Sequence, residues 1–218
     1  MQIGRYPVIN ILVQLPVLLF SVIIHEVAHG WTADKFGDDT ARVMGRLTLN
    51  PIPHIDLFGT IILPGLSLIT GAPVFGWAKP VPVNTYRLNN PSRDIIWVSL
   101  AGPASNIALA AGAAFIMWIV RSYDIMGASM AISIHELMRM VLVINVILPV
   151  FNLFPLPPLD GSRVLAGFLP SGLAYRYAML EQYGFFIIII LLSSGILWGI
   201  LGPIANFIIF HLGGTAYI

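Results

Sequence analysis

The chain has 218 residues, of which 57% are hydrophobic and only 10% are charged, whereas typical globular proteins carry roughly 25% charged residues. Its mean hydropathy is +0.87, so there are too few charges to cover a water-exposed surface, and a lipid bilayer is the expected environment. The net charge of +1 argues against a nucleic-acid partner. The absence of cysteine excludes disulfides and thiolate metal ligands.

Several apolar segments are long enough to cross a membrane, which takes about 20 mostly apolar residues. Pro16 is a candidate kink in the first, and Gly202-Pro203 is expected to make the last either one bent span or two half-spans. The sequence therefore predicts an all-α polytopic membrane protein, a bundle of about four to six membrane helices in a single domain over residues 1–218. The expected spans are about 8–33, 94–120, 131–154 and 183–212.

Two further apolar segments do not fit a comfortable crossing. Residues 55–70 are too few, and we expect a re-entrant segment or a short helix packed inside the protein. Residues 73–84, PVFGWAKPVPVN, are rich in Val and Pro. They predict a small extended edge strand or a loop, because Pro cannot donate to a central ladder.

Basic residues concentrate in two regions, after the first span and after Phe154. Arg5 and Arg121 fall on the other side, and Arg139 lies within a span. If the short apolar segment does not cross, the positive-inside rule places both basic regions in the cytoplasm and the amino terminus outside. The basic residues of the two regions are Lys35, Arg42, Arg46, Lys79, Arg87, Arg93, Arg163 and Arg176.

The stretch HEVAHG, near the end of the first span, places two histidines four residues apart. On a helix, His25 and His29 share one face and can bind one cation. Glu26 beside them is placed to take a proton from water activated by zinc. The alternatives are a chance match to HExxH or histidines that are merely hydrogen-bonded in the core. The position inside an apolar helix favours a functional site.

A third metal ligand must come from a distant part of the chain, because no Glu or His follows at a suitable spacing. Asp160 is the candidate, since it follows a proline-rich turn and is succeeded by Gly161, which allows a close backbone approach. Alone, this position is more typical of a helix N-cap. Beside an HExxH motif that lacks a third ligand, we favour the metal.

Together these stretches resemble the site-2 proteases, a family of intramembrane zinc metalloproteases, in its short prokaryotic branch without PDZ or regulatory domains. The resemblance is carried by HEVAHG, AGPASN (101–106) and NLFPLPPLDG (152–161), with GRLTLNPIPHIDLFGT and FGWAKPVPVN between them. It covers about residues 15–169 and leaves the membrane segment at about 183–212 outside.

The resemblance implies one catalytic zinc ion bound by His25, His29 and Asp160, with Glu26 as general base. It also implies cleavage of a peptide bond in or near a transmembrane segment of a substrate protein. The expected location is a prokaryotic cell membrane, with the site toward the cytoplasmic side. The substrate's identity and the oligomeric state stay open.

Two residues are candidates for binding the substrate or its oxyanion. Asn152 matches the family's asparagine upstream of LDG, and His54 lies in NPIPH, where two prolines would fix the loop. A loop histidine that bonds to backbone is the alternative for His54. The GWAKPVPV segment is a candidate edge for pairing with an unwound substrate.

Two other functions are less consistent with the sequence. A membrane zinc transporter or sensor would use the same three ligands, but it would leave Glu26 without a purpose. Its path would also need polar groups, and Asn145, Asn206 and His211 are isolated in the sequence. An inactive relative is disfavoured because both HExxH and LDG are intact.

Overall fold

The computed structural model describes residues 7–70, 78–123 and 127–213. Within these ranges the chain forms α-helices, short 3-10 turns and one π-helical turn, without a β-strand. The predicted all-α class is therefore confirmed. The helices are α1 (Pro7–Lys35), α2 (Thr40–Val43), α3 (Leu63–Thr70), α4 (Pro91–Ser122), α5 (Ala128–Asn152), α6 (Asp160–Phe168), α7 (Ser171–Ala178), α8 (Glu181–Ser193) and α9 (Ile196–His211).

Three helices are long and apolar enough to cross a membrane: α1 from Val13 onward, α4 and α5. Helix α1 continues through Pro16. Helices α7 and α8 are bent by 60° against each other and make a fourth crossing if the pair acts as one span. The described residues thus form a polytopic membrane protein with three such helices, which is fewer than the predicted four to six, or four if the bent pair is one span.

Helix α4 occupies the centre of the bundle, because α1, α5 and α6 all pack against it. Small side chains let membrane helices approach closely, and α4 presents Ala110 and Ala113 on the face that it buries. These residues form a buried cluster with Leu142 and Val146 of α5. Helix α9 packs against the same cluster and so completes the core.

The chain between α1 and α4 leaves and returns at the same end of the bundle. Directly after α1, the Phe36 carbonyl accepts a hydrogen bond from the Asn89 amide at 2.8 Å, just before α4 begins. The buried Asp38 carboxylate ties the same two parts together by accepting a bond from the Asn84 amide at 2.6 Å. Residues 37–88 therefore make no net crossing of the bundle.

The short apolar segment at 55–70 is helical, but it is not packed inside the protein. A π-helical turn, Leu57–Ile62, continues directly into α3. Several of its described apolar side chains are exposed: Phe58 is 63% exposed and Ile69 is 85% exposed. The interior-helix alternative is therefore wrong, and a re-entrant role in the bilayer stays a prediction.

The segment predicted as an edge strand or loop lies partly outside the described residues. Its described part, from Ala78 to Asn84, has no strand partner and corresponds to the loop alternative. Pro80 and Pro82 lack N–H groups, so the segment cannot form a regular ladder. The amides of Val81 and Asn84 donate to side chains, and the amide of Lys79 donates to a loop carbonyl.

The break in the last apolar stretch falls at Ser194-Gly195, not at the predicted Gly202-Pro203. Gly195 has a φ angle of +73°, a left-handed conformation that glycine adopts without steric cost. Helix α9 continues through Pro203, as membrane helices often do where neighbouring groups compensate for the missing N–H.

Candidate metal centre

Three side chains from distant parts of the sequence meet where α1 and α6 approach each other. His25 and His29 lie one turn apart on the buried face of α1, and Asp160 is the first residue of α6. The two Nε2 atoms are 3.0 Å apart. The Asp160 Oδ2 atom lies 3.1 Å from the first and 3.3 Å from the second. The structure thus brings together the three residues predicted as metal ligands.

Asp160 does not have the helix-capping role that was its alternative. Leu159 is the N-cap residue of α6, and no side chain caps that end. Two glycines allow the backbone to approach the turn before Asp160 closely. A Cβ on Gly161 would lie 2.1 Å from the Leu153 carbonyl oxygen, and one on Gly184 of α8 would lie 1.9 Å from the Pro157 carbonyl oxygen.

Hydrogen bonds at the outer nitrogen of each imidazole determine where the ring protons lie. The Nδ1 atom of His29 is 2.6 Å from the Val98 carbonyl oxygen. A carbonyl oxygen only accepts, so Nδ1 donates. The Nδ1 atom of His25 is 2.6 Å from Asn106 Oδ1. In both rings Nε2 then presents a lone pair to the other members of the His25, His29 and Asp160 cluster, as metal-binding histidines do.

These three potential ligand atoms fit a divalent metal ion. Two imidazole lone pairs and a carboxylate oxygen repel one another at separations of 3.0–3.3 Å unless a cation lies between them. Ligand atoms at about 2.0–2.1 Å from a tetrahedral zinc ion are about 3.3 Å from each other, which is close to these separations.

Helix α4 leaves room beside the three donor atoms. A Cβ on Gly102 would lie 2.4 Å from Nε2 of His29 and 2.6 Å from Nε2 of His25. Glycine therefore keeps open the space on one side of the cluster. The next residue, Pro103, lacks the N–H that a helix interior normally donates to the carbonyl four residues earlier, here that of Ser99.

A buried network of amide side chains continues from His25 into the bundle. Asn106 Nδ2 donates to the Ser21 carbonyl at 3.2 Å and to Asn145 Oδ1 at 2.8 Å. Asn145 Nδ2 donates to Ser21 Oγ at 2.8 Å and to the Val141 carbonyl at 2.9 Å. Asn145, which looked isolated in the sequence, is therefore joined to the cluster.

Sequence reasoning assigned no role to either asparagine. Asn106 ends the AGPASN motif that carried part of the resemblance, which was a usable signal. Ser21 offered another, because it precedes His25 by four residues and so lies on the same face of α1. Asn145 offered none, since a single asparagine in a span does not reveal its partner.

Glu26 is held by the extended segment at 78–84. Its Oε2 atom accepts a hydrogen bond from the Val81 amide at 2.8 Å. Val81 stands between Pro80 and Pro82, neither of which has an N–H group. The one amide hydrogen of this Pro-Val-Pro run is thus used to fix the carboxylate beside His25.

The rest of the segment is anchored near its start and again at Asn84, and one amide between these two anchors is open. Lys79 donates from its amide to the His54 carbonyl at 2.8 Å. Arg46 Nη2 donates to the carbonyls of Lys79 and Pro80 at 2.7 Å and 3.1 Å. The Val83 amide has no hydrogen-bond partner in the part of the chain that the structure describes.

No hydrogen bond among the described residues joins His54 or Asn152 to the cluster. His54 is fully buried in its loop, where Nε2 donates to the Thr48 carbonyl at 2.9 Å. This is the backbone-bonded alternative. Asn152 ends α5, and its Nδ2 donates to the Leu148 carbonyl, one turn earlier, at 3.0 Å.

Comparison with known proteins gives relatives in one family. Residues 116–192 match the model described as peptidase family M50. The chain is 41% identical over 189 residues to YwhC of Bacillus subtilis, named as a candidate zinc metalloprotease; the match covers 84% of this chain and 83% of that protein.

Two more distant relatives carry the same kind of name. The chain is 31% identical over 176 residues to Rip2 of Mycolicibacterium smegmatis, covering 81% of this chain and 64% of that protein. It is 28% identical over 181 residues to Rip2 of Mycobacterium tuberculosis, covering 83% and 66%. No solved structure matches significantly. With the level of identity to YwhC, these matches show that the chain belongs to peptidase family M50, the site-2 protease family that its motifs resemble.

Proposed function

We propose that the protein is an intramembrane zinc metalloprotease that hydrolyses a peptide bond in or near a transmembrane segment of a substrate protein. The observation that carries the proposal is the triangle of lone-pair donors from His25, His29 and Asp160, with Glu26 next to it. Two of the donors lie on α1, which is long and apolar enough to cross a membrane. Family membership supports the class of reaction.

In this proposal His25, His29 and Asp160 bind zinc and Glu26 moves the proton. Zinc supplies Lewis acidity, which polarises the scissile carbonyl and makes water a stronger acid. Glu26 accepts the proton of the attacking water and returns it to the leaving amine. The Val81 amide holds one oxygen of the Glu26 carboxylate, so the other oxygen is free to face the reacting water.

Substrate binding is assigned to two amide groups. The Val83 amide, which has no partner among the described residues, can pair with an extended substrate backbone. Asn152 has a second amide hydrogen besides the one given to Leu148, and we propose it as a donor to the substrate backbone or the developing oxyanion. His54 supports the extended segment through its carbonyl bond to Lys79, so we assign it no direct contact with substrate.

The test is cleavage of a single-span model substrate by the purified protein in detergent, together with measurement of bound zinc. General-base catalysis contributes about 100- to 10,000-fold to a rate, so Glu26→Gln should lower kcat by that factor and keep its zinc. His25→Ala is the control that should lose zinc.

Other outcomes would favour a different function. If wild type and Glu26→Gln both bind zinc and neither cuts any member of a varied substrate panel, a zinc transporter, a sensor or an inactive relative would replace the protease. Full activity in Glu26→Gln would remove Glu26 from the proposed mechanism. Zinc retained by His25→Ala at wild-type affinity would remove that residue from the ligand set.

A further inference from the structure

The buried amide network between α5 and His25 has a fixed direction, set by two backbone carbonyl groups. A carbonyl oxygen accepts hydrogen bonds and never donates. The Val141 carbonyl therefore requires the amide nitrogen of Asn145 on its side, at 2.9 Å. The Ser21 carbonyl requires the amide nitrogen of Asn106, at 3.2 Å. Turning either side-chain amide over would place two acceptors face to face.

This direction determines which nitrogen of His25 carries the proton. With its nitrogen toward Val141, Asn145 presents Oδ1 to Asn106 and accepts a hydrogen bond of 2.8 Å. Asn106 then presents its own Oδ1 to Nδ1 of His25 at 2.6 Å. The Nδ1 atom must donate this bond, so Nε2 keeps the lone pair that faces His29 and Asp160.

We propose that Asn145 is a positioning residue of the metal centre, which acts through Asn106 to hold His25 in the tautomer that binds zinc. The inference rests on the proposed function, because it takes His25 as a zinc ligand. Asn106 and Asn145 are both 0% exposed. Buried polar networks of this kind are strong when every member is satisfied.

Asn145 provides the shorter of the two bonds that orient Asn106. The bond to Asn145 Oδ1 is 2.8 Å, and the bond to the Ser21 carbonyl is 3.2 Å. Without Asn145, the Ser21 carbonyl alone would oppose rotation of the Asn106 amide. A rotated Asn106 would offer N–H to Nδ1 of His25 and move the ring proton to Nε2, where it would oppose metal binding.

The test compares two near-isosteric replacements in the full chain, purified in detergent. Asn145→Leu removes the acceptor that faces Asn106. Asn145→Asp keeps an oxygen there, and as the neutral acid its O–H can donate to the Val141 carbonyl. Zinc affinity is measured by competition with a chromophoric chelator, and folding is followed by thermal unfolding.

Partners of metal ligands change metal affinity by about 10- to 100-fold when they are replaced. Asn145 acts one hydrogen bond further from the metal, so we expect Asn145→Leu to bind zinc about 10-fold more weakly, at the lower end of that range, and Asn145→Asp to stay close to wild type. Val146→Ala is the matched control, because this neighbouring residue is also buried but lies outside the network. It should lower the melting temperature and leave zinc affinity unchanged.

Equal zinc affinities of wild type and Asn145→Leu would overturn the inference. Equal weakness of Asn145→Asp and Asn145→Leu would also overturn it, because an acceptor facing Asn106 would then not decide the affinity. If Asn145→Leu does not unfold cooperatively, Asn145→Val removes the same acceptor with a smaller side chain and is judged by the same comparison.

His25→Ala separates this inference from the proposed function. If His25→Ala keeps wild-type zinc affinity, the ligand assignment fails and the role of Asn145 fails with it. If His25→Ala loses zinc while Asn145→Leu keeps it, the ligand assignment stands and only the role of Asn145 is refuted.

Discussion

Gly102 faces the two histidine rings from α4, and its missing side chain keeps open the space beside their Nε2 atoms. Any larger residue would bring a Cβ within 2.4 Å of His29 Nε2 and 2.6 Å of His25 Nε2. Both atoms belong to rings that are already held at Nδ1. Neither ring can therefore move away without breaking that bond.

We predict that Gly102→Ala weakens zinc binding in a folded protein. Overpacking costs about 1–3 kcal/mol, which corresponds to a zinc affinity lower by about 5- to 150-fold. The control is Gly112→Ala on the same helix, where a Cβ would meet nothing within 4 Å. Chelator competition measures both variants, and wild-type affinity in Gly102→Ala would show that the space is not needed.

The extended segment at 78–84 illustrates, at the scale of an element, how proline shapes function. A regular strand would offer amides on both sides, but Pro80 and Pro82 leave Val81 as the only donor of their run. That donor lies against Glu26. The segment is thus divided into a part that fixes Glu26, the proposed base, and an open amide at Val83.

We predict different kinetic effects from removing the two amides. Val81→Pro removes a hydrogen bond to a charged group, worth about 1.5–3 kcal/mol, so kcat should fall by about 10- to 100-fold with little change in KM. Val83→Pro should raise KM and leave kcat nearly unchanged, since it removes a donor for substrate. Zinc content is measured in both variants as the control, and unchanged KM in Val83→Pro would count against substrate pairing.

At the scale of the whole molecule, the backbone hydrogen bond from Asn89 to Phe36 brings the end of α1 and the start of α4 to the same end of the bundle. The intervening residues make no net crossing, so the end of α1 and the start of α4 share one side of the membrane. The basic residues after α1 share that side as well. The positive-inside rule then supports a cytoplasmic position for this end of the bundle, where α6 also begins.

The absence of cysteine allows this topology to be tested with single introduced thiols. Met44, in the turn after α2, and Tyr123, directly after α4, are both exposed. In intact cells an impermeant thiol reagent should label Tyr123→Cys and not Met44→Cys, and permeabilised cells should show both. The reverse pattern would place the metal centre on the outer side. Labelling of both in intact cells would contradict the two-sided arrangement.

Features with a local or repeating signal were predictable from the sequence. Long apolar runs predicted the helices α1, α4 and α5, because the length of a span is set by the bilayer. The four-residue spacing of His25 and His29 predicted their shared face. The position of Asp160 followed from the need for a third ligand and from the resemblance.

Features that depend on partners distant in sequence were not predictable. The amide of Val81 meets Glu26 across 55 residues, and Asn145 meets Ser21 across 124. No spacing rule connects such positions. The break at Gly195 was missed because Pro203 was the stronger local signal for ending a helix, although membrane helices tolerate proline.

The three side chains of the metal centre are far apart in the sequence, so a chain that is still being synthesised carries them at different times. Asp160 follows His25 by 135 residues, which at about 5–20 residues per second takes roughly 7 to 27 seconds to translate. A nascent chain that has inserted α1 therefore holds two of the three groups and lacks the third. During that interval the proposed zinc site lacks one of its three ligands, so the proposed cleavage reaction cannot begin until Asp160 has been made and folded against α1.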